Sequence, residues 1–180
     1  MTQSQLNAQY CAGIGVIAVK FGITVKRLWI GNEEGSLCDA LLEPINISRV
    51  ADADLDYFRT MQIEDYATAL LAGSAANFIR EQDQLCHLKR SFGDAGLEMR
   101  FLREIWQGER RKPDRAMAII CGFLEEYDDG DIEATAKRLW HRAVLILRRV
   151  PHCQQLKSLA QQLQRVKLIN GDEIHHFLKP

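Results

Sequence analysis

Apolar and small residues from Leu6 to Phe21 occupy nearly every side of a helical wheel, leaving no polar stripe of the width that a surface helix carries. The pattern predicts a buried, central helix. Within it Ala12, Gly13 and Gly15 remove side-chain bulk and permit another helix to approach closely. Gly22 is placed to end the helix as a C-terminal cap. The next run, Thr24 to Ile30 (T-V-K-R-L-W-I), is rich in β-formers, and Gly31-Asn32-Glu33-Glu34-Gly35 reads as a turn. Ser36 to Leu42 then returns as a second strand, which gives a small hairpin or sheet edge closed by Pro44.

From there onward the periodicity is helical. Ile63 to Arg80 is alanine-rich, with an apolar stripe through Tyr66, Leu70, Ala75 and Phe78. Asp94 to Gln107 predicts another helix, and after a charged turn ending in Pro113 so does Asp114 to Tyr127. Asp128-Asp129-Gly130 breaks the chain. Ile132 to Arg149 follows, with Leu139, Ala143, Ile146 and Leu147 at helical spacing. Pro151 suits the first turn of a helix running to about Val166. Asn170 is placed to cap a last short helix, with Glu173 three residues on as its capping-box partner. The fold class expected is therefore mainly α with a small N-terminal β-hairpin or sheet. Without an internal repeat or a long linker, residues 1–180 are expected to form a single domain.

Composition narrows the function classes. Apolar residues make up 47% and charged residues 26%, and the net charge is -1, which gives no basis for nucleic-acid binding or attraction to an anionic membrane. The basic runs Arg110-Arg111-Lys112 and Arg148-Arg149 are short and read as solvated helix ends. No apolar stretch approaches the ~20 residues of a membrane span, and the uncharged N-terminus does not read as a secretory leader. Five cysteines (Cys11, Cys38, Cys86, Cys121, Cys153) without C-x-x-C spacing suit reduced thiols and a cytoplasmic location.

Three blocks carry a family resemblance. The first is A-Q-Y-C-A-G-I-G-V-I-A from Ala8 to Ala18, followed by the strand-like run to Ile30. The second is A-L-L-A-G-S-A-A-N from Ala69 to Asn77, and the third is L-K-S-L-A-Q-Q-L-Q-R-V-K-L-I-N-G-D-E-I from Leu156, within a segment reaching Leu178. Together they resemble the peptidase domain of the FtsH-type ATP-dependent zinc metalloproteases, and more closely its short stand-alone bacterial relatives. The first block is similar to that family's A-Y-H-E-A-G-H-A-V-V-A and the strand after it. The second is similar to a G-x-x-A-E helix that packs against the zinc helix, and the third to the closing L-A-x-x-L…L-x-G-x-E-I segment. The resemblance implies a zincin-related helical fold. No G-x-x-x-x-G-K-[ST] loop occurs, so no ATPase module is expected within the chain.

In that family two histidines and a later aspartate hold Zn²⁺, and the glutamate between the histidines is the general base. Carried over position by position, the ligand positions fall on Tyr10 and Ile14 and the base position on Cys11. The aspartate matches Asp94 after Gly93, with Asp83 as a second choice. Isoleucine has no lone pair, a neutral tyrosine is a poor zinc donor, and one carboxylate cannot hold catalytic zinc against water. Tyr10 and Ile14 therefore read as packing residues in the place of a metal, and Asp94 as a helix N-cap. The histidines offer no obvious replacement. Cys86-His87 and His152-Cys153 are sequence neighbours that point to different faces, and one of His175 and His176 is expected to face water. A nucleophilic Cys11 is disfavoured inside an apolar helix, where burial raises the thiol pKa.

The expected function is that of a catalytically inactive relative of the FtsH-type zinc peptidase domain, without catalytic residues, cofactor or metal. It would act by binding or regulating a protein partner, such as a peptidase or an ATPase. Two alternatives stay open. One is an active metallopeptidase with a non-standard ligand set, for which zinc would be the cofactor. The other is a structural protein that forms homo-oligomers.

Overall fold

The computed structural model describes residues 2–31, 38–44, 53–87, 100 and 132–178. Helix α1 spans Gln3–Lys20. It starts three residues earlier than its apolar pattern, because Thr2 and Gln5 form a capping box: the Thr2 hydroxyl accepts from the Gln5 backbone N–H and the Gln5 side chain accepts from the Thr2 N–H. Gly22, at φ +70°, takes the left-handed conformation that ends the helix and turns the chain into the sheet.

Strand β1 (Val25–Ile30) pairs antiparallel with β2 (Cys38–Leu42), placing Leu28 opposite Ala40, Trp29 opposite Asp39 and Ile30 opposite Cys38. The register shifts between Val25 and Arg27, which inserts an extra residue into β1. That irregularity lets Val25, Leu28 and Ile30 all face inward while Lys26, Arg27 and Trp29 stay outside. A third strand, β3 (Leu168–Asn170), pairs antiparallel along the other side of β1, so the sheet runs β2-β1-β3. The expected N-terminal hairpin is thus completed by the C-terminal part of the chain.

Four helices besides α1 belong to the described residues: α2 (Ala53–His87), α3 (Ile132–Leu147), α4 (Val150–Val166) and α5 (Gly171–Leu178). Helix α2 extends well beyond the 63–80 stretch that its apolar stripe predicts. The expected helices over 94–107 and 114–127 lie outside the described residues, apart from Arg100, which is helical and ion-paired with Glu81 of α2. Arg149 sits at the N-cap of α4 with Pro151 in the first turn, as the sequence predicts. Lys167, at φ 68°, caps the C-terminus of α4, and its carbonyl accepts from the Ile30 N–H at 2.9 Å, which delivers β3 to the sheet. The Asn170 N–H donates to the Glu173 carboxylate at 3.0 Å, giving that half of the expected capping interaction.

Helix α1 is the centre of this arrangement. It touches α2, α4, both long strands, α5 and α3, and Ala8, Cys11, Ala12, Ile17 and Ala18 are completely enclosed. One continuous apolar cluster joins α1 to Leu28 and Ile30 of β1, Leu71 of α2, Trp140 of α3, Leu159 of α4 and Ile174 of α5. The all-round apolar wheel of α1 follows from this, since no side of it is left to water over most of its length.

Candidate functional site

Close approach of α2 to α1 depends on small residues on both helices. A Cβ added at Gly13 would come within 2.4 Å of the Ala72 carbonyl oxygen and 2.6 Å of the Ala76 Cβ. A Cβ at Gly73 would lie 2.6 Å from Cε2 of Tyr10. Tyr10 therefore rests its ring on the bare backbone of α2. Gln9, buried beside it, donates from Nε2 to the Ala76 carbonyl at 3.5 Å. The segment 69–77 is thus the part of α2 set against 9–13 of α1. On the opposite side Gly15 faces Leu28 and Leu159, and a Cβ there would meet Leu28 Cδ1 at 2.9 Å. Gly171, at the start of α5, lies so close to β1 that a Cβ would come 2.2 Å from the Val25 carbonyl oxygen.

These contacts bring together residues from all three sequence blocks around α1. At positions 10, 11 and 14 the side chains are committed to packing. Ile14 is buried among apolar neighbours. Tyr10 is only partly buried, packed against the core rather than enclosed by it. Its ring lies against Gly73 of α2.

Cys11 turns toward the sheet instead. Its Sγ lies 3.6 Å from the carbonyl oxygens of both Trp29 and Asp39, which are themselves opposite each other across β1 and β2. The thiol is also hydrogen-bonded to that of Cys38, and this contact, burial and the neighbouring Asp39 charge hold its pKa well above the ordinary cysteine range, against a small opposing effect of the Trp29 carbonyl contact. A thiol held protonated in this way is a poor nucleophile. It is also turned away from the Tyr10–Gly73 contact.

These residues do not fit zinc. Ile14 offers no donor atom, Tyr10 presents a ring to Gly73, and the Cys11 sulfur is directed into the sheet. Asp94 lies outside the described residues. Asp83 is exposed on α2, and its ten-residue separation from Gly73 puts it about 15 Å farther along the axis, out of reach of Ile14. Among the described residues no three His, Cys, Asp or Glu side chains group as metal ligands. His141 is on α3, His152 on α4, and His175 and His176 on α5, with His176 exposed. No described helix is long and apolar enough to cross a membrane.

Sequence reasoning did not foresee the sheet-facing thiol pair of Cys11 and Cys38, because the contact depends on strand register. Nor did it foresee an open groove of about 330 Å³ lined by Pro151, Gln154, Gln155, Ser158 and Phe177, where α4 and α5 meet. Its signal in the sequence is the polar flank of α4, which resembles any solvated helix face. No protein-family model matches the sequence, and no curated protein does.

Proposed function

We propose that this chain is a non-catalytic relative of the FtsH-type zinc peptidase domain that acts by binding a protein partner. The observation that carries the reading is the filling of positions 10, 11 and 14. A ring on Gly73, a thiol bonded into the sheet and a buried isoleucine stand where the resemblance calls for two ligands and a base. Replacing metal ligands by packed apolar groups removes the desolvation cost of polar side chains left without their ion. The meeting of the three sequence blocks around α1 supports the resemblance, since 69–77 packs on α1 and the segment after Leu156 closes the sheet. The partner belongs to the class that works with such a domain, a peptidase or an ATPase.

The test uses the full chain. After incubation with Zn²⁺ and removal of the free ion, metal analysis is expected to find far less than one zinc per chain. Casein and peptide substrates are expected to stay intact with zinc, manganese or cobalt present. Stoichiometric zinc would overturn this reading, and cleavage abolished by a chelator would support the alternative of an active peptidase with an unusual ligand set.

A further inference from the structure

Among the described residues two cysteines, Cys11 and Cys38, come together where α1 packs on the sheet. Cys11 is on α1 and fully enclosed. Cys38 is the first residue of β2, an edge strand, and is half-buried against the same apolar cluster. The sheet register fixes their relation: Cys38 is opposite Ile30, and the adjacent Trp29–Asp39 pair supplies both carbonyls that surround the Cys11 sulfur. Cys38 is the chain neighbour of Asp39, whose carbonyl lies 3.6 Å from the Cys11 sulfur, and it packs against the same apolar cluster as Cys11; neither cysteine is engaged in a disulfide.

We propose that Cys11 and Cys38 are a redox modification site, closing reversibly to an intramolecular disulfide that ties α1 to the edge strand. This inference stands on the placement of the two sulfurs and is independent of the peptidase resemblance. The oxidant is a low-molecular-weight disulfide such as oxidised glutathione. Cys38, the more accessible sulfur, attacks it, forms a mixed disulfide and releases one thiol carrying the Cys38 proton. Formation of the mixed disulfide removes the Cys38 thiol, the first cause that keeps Cys11 protonated, so at mildly alkaline pH Cys11 loses its proton and attacks the Cys38 sulfur, and a second small thiol leaves with that proton. Two protein thiols and one small disulfide thus become one protein disulfide and two small thiols, with two electrons passed to the oxidant. Enclosure of Cys11 gives the order of events, because the small disulfide meets Cys38 first and only Cys38 then meets Cys11.

The bond closes a loop of about 28 residues containing the second half of α1, the turn at Gly22 and all of β1. Its formation ends the donation from Cys11 to the Trp29 and Asp39 carbonyls and pins the sheet edge to the central helix. In the reduced protein that edge is held to β1 by its ladder hydrogen bonds and by packing. Oxidation therefore stiffens one edge of the sheet.

The experiment treats the reduced full-length protein with oxidised glutathione at mildly alkaline pH, blocks free thiols under denaturing conditions, and maps the peptides by mass spectrometry. The expected product joins the Cys11 and Cys38 peptides, is reversed by dithiothreitol, and melts several degrees above the reduced protein. Cys11→Ser is expected to trap a glutathione adduct on Cys38, whereas Cys153→Ser leaves the cross-link intact. The wild-type peptide map decides the matter even if Cys11→Ser fails to fold. A lasting glutathione adduct on wild-type Cys38 with Cys11 recovered as a free thiol would overturn the proposal, as would Cys38 joined to a different cysteine or both thiols remaining reduced.

Discussion

The ring of Tyr10 lies on Gly73, with Cε2, Cδ2 and Cζ all 2.6–2.7 Å from where a Cβ at position 73 would stand. This contact is one of those that bring α1 and α2 close together, beside that of Gly13 with Ala72 and Ala76. It also occupies the first of the positions that the family resemblance assigns to a ligand. Tyr10 is partly accessible, so its ring has somewhere to go when pushed. Gly13, one turn along on the same helix, has no such freedom, because the atom it would strike is the Ala72 carbonyl oxygen.

That difference ranks two substitutions. Gly13→Ala is expected to cost about 3 kcal/mol or more, since backbone must separate from backbone. Gly73→Ala is expected to cost about 1–2 kcal/mol, the ring displacement being offset in part by the better helix propensity of alanine. In a Tyr10→Ala background the cost of Gly73→Ala should nearly vanish, whereas that of Gly13→Ala should persist. Urea unfolding of the single and double variants reads this non-additivity directly.

Stability should decline on the alkaline side through Cys11. Its thiol pKa is raised in the folded protein, by the Cys38 contact first and by burial second. Once pH exceeds the ordinary cysteine value of roughly 8.5, the unfolded chain loses a proton that the folded chain keeps, and the equilibrium moves toward unfolding. The contribution is fully present below that value and is lost progressively as pH rises toward the folded-state pKa. Urea midpoints measured from pH 7 to 10 should fall less steeply in Cys11→Ala than in wild type, a comparison that cancels the titration of other groups.

Trp140 should be the most informative position on α3. It is buried, meets Phe78 edge-on at a centroid distance of 4.9 Å, and donates from Nε1 to the Ser74 hydroxyl at 3.1 Å. Ser74 also donates to the Leu71 carbonyl at 2.9 Å, so it keeps a partner when the indole is lost. Trp140→Phe is therefore expected to cost about 1–2 kcal/mol, and Trp140→Ala about 3–5 kcal/mol. Thermal melts should show both losses.

The ion pairs between α2 and α3 should matter much less. Arg138 meets Glu64 through two contacts of 2.6 and 3.2 Å, but its side chain is 55% exposed. Arg138→Ala is expected to cost less than about 1 kcal/mol at low salt, and the difference from wild type should shrink further in 1 M NaCl. A loss that stayed large in salt would mean that the arginine stem is packing rather than pairing.

How much of this was legible in the chain varies element by element. Residues 81–87 of α2 (E-Q-D-Q-L-C-H) are mostly polar and carry no apolar stripe, whereas upstream of Ile63 the residues Leu55, Phe58 and Met61 continue the helical spacing and extend the helix beyond the alanine-rich stretch. The strand β3 was hidden for a different reason. Three residues, Leu168 to Asn170, cannot display an alternation, and the left-handed turn that delivers them is made by Lys167 rather than by a glycine. Their strand character exists only because β1 offers an unpaired edge. Asp83 looked like a second-choice ligand in one dimension, and its ten-residue separation from Gly73 along the continuous helix α2 removed it.

Composition and pattern alone determined that α1 would be central, since a helix without a polar side must be covered all round, and that Gly22 would end it, since the chain needs a left-handed residue there. They also determined what is missing at Tyr10, Cys11 and Ile14, because the chemistry of a side chain is readable without coordinates. Which way those side chains point was decided only by tertiary structure. Tyr10 goes to Gly73 and Cys11 goes to Cys38, and the reason is distance in space: the partners lie 63 and 27 positions away along the chain, and only the packing of α2 and the register of β2 bring them within contact.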